Sequence, residues 1–245
     1  MKANFSWQDW LIVIPARLQS TRLPEKPLAD LGGKTLIVRV FERLRPLLKD
    51  GAKIVVGTDS EKILKVCQDN GIDVLLTNPQ HPSGTDRVYE VAAKEQRKYI
   101  LNVQGDEPFI NIADLKKLCL KLCQEKNPEM ATLIYRNLEE KDFHNPNCVK
   151  VVRQGGYAMY FSRASIPFPR DGVFSGFWQH LGVYAFSFPT LKKFCGLPTS
   201  ELEQIEKLEQ LRALENGIRI VISEADQASL GIDTPEDLEE ARARY

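Results

Sequence analysis

Apolar residues along this chain fall into short runs that alternate between two periods. From Trp10 to Ile14 every position is apolar and the last three are β-branched, the pattern of a strand buried on both faces and ended by Pro15. From Thr35 to Leu48, Leu36, Val40, Leu44 and Leu47 recur at spacings of four, four and three, which lays one apolar stripe on a helix. The same alternation predicts a strand over 54–57, a helix over 60–70 closed by Gly71 and a strand over 74–76. A third round follows, with helices over 84–95 and 113–125 around a strand over 99–103. Strand and helix in turn argue for a mostly parallel sheet covered by helices, with ligands gathered outside the carboxyl ends of its strands.

The second half breaks this rhythm. Segments 149–153 and 157–162 are strand-like and joined by Gln154-Gly155-Gly156, which predicts a hairpin rather than a crossover, and such an inserted hairpin suits a dimer or substrate arm. A strand over 182–187 follows. The pattern Ser200-Glu201-Leu202-Glu203 then forms a capping box that starts a helix running to Asn216. A strand over 218–222 and a last helix from Pro235, capped by Thr234, complete the order. The expectation is a single domain over 1–245 with an insertion around 130–190, and no repeat or low-complexity segment interrupts it.

Composition narrows the function. The 33 basic and 33 acidic residues of this 245-residue chain cancel, so no global field draws it to nucleic acid or to an anionic membrane. Basic residues are not interleaved with aromatics in a stripe, which removes the best sign of nucleic-acid binding. No apolar run approaches the roughly 20 residues that a spanning helix needs. Five cysteines and the polar start of the chain read as a reduced, cytoplasmic protein. The three histidines are too scattered for a zinc-binding run, and Cys119 with Cys123 on an apolar helix reads as packing. Neither a dinucleotide fingerprint nor a Walker phosphate loop follows the first strand.

Charge is instead concentrated locally. The loop Pro15-Ala16-Arg17-Leu18-Gln19-Ser20-Thr21-Arg22-Leu23-Pro24-Glu25-Lys26-Pro27 sets Arg17, Arg22 and Lys26 at the end of the first strand, where such sheets bind anions. A phosphate chain needs fixed cationic donors of this kind; taken alone, the loop is also compatible with solvated surface charge. Asp106 follows the strand ending at Val103, so its carboxylate belongs to the same edge, as metal ligand or as part of an Asp-Glu-Pro turn. Asp233, beside Thr234-Pro235, fits a second metal ligand and equally a helix cap.

The first loop resembles the signature of the CMP-Kdo synthetases, the 3-deoxy-manno-octulosonate cytidylyltransferases, and more loosely that of the CMP-sialic acid synthetases. The resemblance continues in order through Ser83-Gly84-Thr85-Asp86-Arg87, Asn102-Val103-Gln104-Gly105-Asp106-Glu107-Pro108, Met130-Ala131-Thr132-Leu133, 160–167, His180-Leu181-Gly182-Val183-Tyr184, Leu208-Glu209-Gln210-Leu211-Arg212 and 233–238. It implies a Rossmann-like α/β three-layer sandwich of the nucleotide-diphospho-sugar transferase type, with a mostly parallel sheet and an inserted hairpin arm. The implied reaction transfers CMP from CTP to the anomeric hydroxyl of Kdo for lipopolysaccharide synthesis. Alternatives are the same reaction on 8-amino-Kdo or another acidic sugar, or a catalytically silent homologue.

The resemblance also implies residue roles. Arg17, Lys26, Asp106 and Asp233 would be catalytic, with Asp106 and Asp233 holding Mg2+. Backbone groups around Ala16 and from Ser83 to Arg87 would read cytosine, with Arg22 on the phosphates and Gln104 beside the sugar. Arg163, His180, Tyr184, Glu209 and Gln210 match positions that contact the sugar acid, Arg163 being the natural partner of its carboxylate. A homodimer is implied as well. Two departures stand out: Glu25 replaces a usual glycine, so that its carboxylate is expected to pair with Lys26 or loosen the loop, and the connection from Arg170 to His180 is short.

Overall fold

In the computed structural model, which describes residues 5–20 and 22–245, the first strand β1 spans Trp10–Ala16 and is buried at every position. It continues through Pro15, against the expectation that the proline ends it. Val13 accepts a bond from the amide of Val103, so Pro15, two residues on, faces the same neighbour, which as a strand has already stopped at Asn102. The missing proline N–H therefore forfeits no ladder bond.

The chain then forms α1 (Leu36–Leu44) and α2 (Pro46–Lys49), β2 (Lys53–Thr58), α3 (Glu61–Asp69), β3 (Val74–Leu76), α4 (Gly84–Glu95) and β4 (Tyr99–Asn102). The single helix expected over 35–48 is divided at Arg45, because Pro46 supplies no donor to the preceding turn. β1 pairs in parallel with β2 and with β4, and β2 with β3, so the parallel sheet read from the alternation is present here. Trp10 stacks on Tyr99 at 5.0 Å between ring centroids, and Trp7 packs edge-on to Trp10, sealing the amino-terminal end of these strands.

After α5 (Ile112–Gln124) come β5 (Met130–Asn137), α6 (Glu140–His144), β6 (Lys150–Gln154), β7 (Tyr157–Ser162), β8 (Phe177–Ser187), α7 (Phe188–Cys195), α8 (Glu201–Glu206), α9 (Gln210–Glu215), β9 (Ile220–Glu224) and α10 (Pro235–Arg242). The chain separates into two compact units: one runs to Ile112 and takes back Ser229–Tyr245, the other is Ala113–Ala228. In the second unit β5 pairs with β8 antiparallel and with β9 parallel, while β6 and β7 form the expected antiparallel hairpin. Parallel order thus belongs to the first unit, and antiparallel pairs predominate in the second.

The helix expected over 200–216 is two helices. Lys207 adopts φ 54°, which ends α8, and α9 restarts at Gln210. Arg212 forms a bidentate pair with Glu203, at 2.8 and 2.5 Å. On one straight helix those residues would stand roughly 13 Å apart along the axis, so the pair requires the break. Among the described residues no helix is long and apolar enough to cross a membrane.

Candidate active site

The carboxyl ends of β1 and β4 open on a cleft of about 380 Å³ lined by the first loop, Gly84, Gln104, Gly105, Asp106 and Asp233. Lys26 lies in a single 3-10 turn, and its ammonium donates to Asp106 Oδ2 at 2.5 Å and to Asp233 Oδ1 at 3.0 Å. Two carboxylates more than a hundred residues apart thus meet one cation. Arg22 pairs with the other oxygen of Asp233 at 3.0 Å, and Arg17 donates to the carbonyl of His81 at 3.0 Å. His81 in turn contacts Glu90 at 2.7 Å, so α4 steadies the residue that holds Arg17. Burial works against the Lys26 ammonium, but Asp106 and Asp233 outweigh it and leave its pKa above the ordinary value.

Backbone geometry brings the parts this close. A Cβ at Gly105 would lie 2.9 Å from the carbonyl oxygen of Pro15, so only glycine allows the turn after β4 to lie against β1. Ala16, the last residue of β1, lines the cleft. Thr234 and Asp237 form a capping box at the start of α10, and Asp237 also accepts from the amide of Asp233 at 2.9 Å. Thr234 is therefore the cap, which leaves the Asp233 carboxylate for the cleft.

Other residues named from the sequence are placed differently. The Ser83 hydroxyl caps α4 through the amide of Asp86 and donates to its carboxylate at 2.7 Å. Arg87 is fully buried, bonded to Thr77 and paired with Asp59 at 2.8 Å, not directed at a base. Its burial lowers the guanidinium pKa more than Asp59 restores it, and its side chain packs beneath Gly57, whose Cβ position lies 3.2 Å from the arginine Cγ. Gln104 lines the cleft and donates to Asn102 at 3.2 Å.

A separate cluster belongs to the second unit. His180 lies 3.0 Å from Thr132 Oγ1, its ring between those of Phe161 and Tyr184. Burial pushes the His180 pKa down to about 3 and the Tyr184 phenol well above its usual value, with Glu209 adding to the latter. Glu209 precedes α9 and Gln210 opens it, so they are neighbours at a helix start, not residues of one long helix. Gln210 is 4% exposed. Arg163 has a different task from the one expected. Its guanidinium donates to the carbonyls of Glu206, Pro146 and Lys207, a fork spent on main chain rather than held open for a carboxylate.

A sequence profile described as cytidylyltransferase matches residues 11–220. A 3-deoxy-manno-octulosonate cytidylyltransferase of Thermodesulfovibrio yellowstonii is 44% identical, covering 94% of this chain and 96% of its own. Another of that name from Polynucleobacter necessarius is also 44% identical, covering 99% and 98%. The chain belongs to the 3-deoxy-manno-octulosonate cytidylyltransferase family. A solved CMP:2-keto-3-deoxy-manno-octonic acid synthetase in complex with CTP superposes with a TM-score of 0.90 at 38% identity, over 96% of this chain and 97% of that one. A putative glucose-1-phosphate thymidylyltransferase from Bacillus anthracis, 13% identical with a TM-score of 0.68 over 96% and 94%, shares the fold.

In this member of the family, Glu25 has φ 51°, the left-handed region that glycine occupies without penalty, and its carboxylate pairs with Lys62 at 2.6 Å instead of with Lys26. Sequence reasoning missed Thr132 and the Glu203–Arg212 pair as supports, and it read Glu107 only as part of a turn. Burial, with Asp106 adding, raises the Glu107 pKa to about 7. A glutamate directly after the candidate metal aspartate was the signal that could have singled it out.

Proposed function

We infer that this chain transfers CMP from CTP to the anomeric hydroxyl of Kdo, releasing pyrophosphate and activating the sugar for lipopolysaccharide synthesis. The observation that carries the reading is the meeting of Asp106, Asp233 and Lys26 in a cationic cleft, within a chain nearly coextensive with its Kdo-named relatives. The sugar hydroxyl oxygen bonds to the α-phosphorus, the bond from that phosphorus to the β-phosphate bridge oxygen breaks, pyrophosphate leaves with that oxygen, and the hydroxyl proton passes to solvent water. Arg17, Arg22 and Lys26 hold the triphosphate and offset charge on the leaving pyrophosphate. His180, Tyr184, Glu209 and Gln210 are proposed to bind the sugar acid. Gln104 offers an amide to its hydroxyls, while backbone groups near Ala16 and Gly84 read the base.

Magnesium is part of this proposal. Among the described residues no group of three or more potential ligands forms a cage. Two carboxylate oxygens within 3.0 Å of one ammonium instead suit an ion that takes one or two carboxylates and fills its shell with phosphate and water. Asp106 and Asp233 would hold it, and bound there it would supply Lewis-acid polarisation and a lowered pKa at a ligated hydroxyl. We also propose a cytoplasmic homodimer; Phe168, Val173 and Leu138, each at least 68% exposed, are apolar surface for such a contact.

The test is pyrophosphate release with and without Mg2+, using CTP against UTP and ATP and Kdo against 8-amino-Kdo and sialic acid. Release confined to CTP with Kdo in the presence of Mg2+ is expected. Silence with that combination would refute the reading, and preference for another sugar would move it to that acceptor.

A further inference from the structure

Asp233 lies on a stretch, 225–234, that is neither helix nor strand, so no regular hydrogen-bond ladder places its carboxylate. Besides the Asp237 carboxylate, which accepts from the amide of Asp233 at 2.9 Å, three contacts hold the stretch. The amide of Ile232 donates to the carbonyl of Asp106 at 2.9 Å, the hydroxyl of Ser229 donates to the carboxylate of Glu107, and a Cβ on Gly231 would lie 3.4 Å from the second oxygen of that carboxylate. The segment therefore wraps the Glu107 side chain from Ser229 to Gly231 before delivering Asp233 to Lys26. On the opposite side, Glu107 is fixed by its own backbone, whose amide donates to Gln104 and whose carbonyl accepts from Ile110, both at 3.3 Å.

We propose that Glu107 is a positioning residue: its carboxylate clasps the 229–231 segment to the turn after β4 and thereby sets the spacing of Asp106 and Asp233 without being a ligand of the ion they share. This rests on the metal reading above. Lys26 bonds Asp106 and Asp233, whereas the carboxylate of Glu107, next in sequence, faces Ser229 and Gly231. Nor do Asp106, Glu107 and Asp233 together form a three-carboxylate cage. Groups that only orient metal ligands typically alter metal affinity by about 10- to 100-fold when removed.

The experiment is calorimetric titration of CTP at a series of Mg2+ concentrations, read as the Mg2+ concentration that half-tightens CTP binding. Ser229→Ala, which removes the partner and leaves every carboxylate in place, is expected to raise that concentration about 10-fold. Glu107→Leu is expected to match it, and Glu107→Gln, which keeps an acceptor for the serine, to stay within about threefold of the parent. A loss as large in Glu107→Gln as in Glu107→Leu, with Ser229→Ala unaffected, would make Glu107 a ligand and overturn the proposal. So would a Ser229→Ala protein that melts earlier but keeps the parental Mg2+ dependence, since the clasp would then serve stability alone. Should Glu107→Leu not fold, Ser229→Ala and Glu107→Gln decide the matter. CTP binding indifferent to Mg2+ in the unsubstituted protein would instead remove the metal reading, and the clasp with it.

Discussion

At the scale of single residues, the phosphate loop shows how backbone conformation and side-chain charge can pull apart. Glu25 occupies the left-handed region, at φ 51°, and its ion pair with Lys62 has both partners at least half exposed. An exposed pair contributes well under about 1 kcal/mol, whereas an L side chain in that region is strained by about 1–2 kcal/mol. Glu25→Gly should therefore raise stability by about 0.5–1 kcal/mol, the gain being reduced by the freer unfolded glycine; a denaturation midpoint shifted downward would contradict this. At Asp233 the carboxylate answers both Arg22 and Lys26, and Asp233→Asn keeps its shape while removing its charge. Turnover should fall on the order of a hundredfold or more, as when one preorganised electrostatic group is lost. Lys26→Ala should raise the KM for CTP well above any change in the KM for the sugar; the reverse split in steady-state kinetics would misplace the triphosphate.

Among elements, the break between α8 and α9 is the one whose cause is most local and least visible in sequence. Glu203 accepts from the amide of Ser200 at 3.1 Å and also from the Arg212 guanidinium, so a single carboxylate both starts α8 and ties α9 back to it. Arg212 also lies over the ring of Phe194, at 4.9 Å, and approaches Glu209 to 3.8 Å. With the two charges 8% and 11% exposed, removing Glu203 deprives a buried guanidinium of its bidentate partner, which destabilises by at most about 3–5 kcal/mol. Glu203→Ala should show that loss in chemical denaturation, together with a weakened KM for the sugar, because Glu209 and Gln210 open α9. A stability change below about 1 kcal/mol would mean the pair is dispensable.

For the whole molecule, stability against pH follows from groups whose folded and unfolded proton affinities differ. The His180 pKa is pushed down to about 3 by burial, so between about 6.5 and 3 the unfolded chain binds a proton there that the folded chain does not. Its contribution is complete above the unfolded pKa and is lost as pH falls, by at most about 1.4 kcal/mol per pH unit. Glu107, raised to about 7, acts in the opposite sense, its folded form holding a proton that the unfolded chain has released. The His180 effect is therefore best read as a difference: His180→Gln should gain stability relative to the parent progressively below pH 6.5, and a constant difference from pH 7 to 5 would contradict it. Much of the architecture was open to sequence reasoning, because hydrophobic period is a local property and the family motifs run the length of the chain. The bounds of β3 and α4 agree with the expected ones, and so does the Thr234 cap. What local pattern could not supply were events that depend on a partner far along the chain. Pro15 stays in a strand because its neighbour has ended, Arg87 is buried because Asp59 and Thr77 receive it, and Arg163 turns to main-chain carbonyls. By itself the sequence determined the alternation of elements and the cationic loop, and its family motifs named the two aspartates as candidates; only the tertiary structure decided that both reach Lys26, since side-chain direction is set by contacts between residues 80 and 207 positions apart rather than by periodicity.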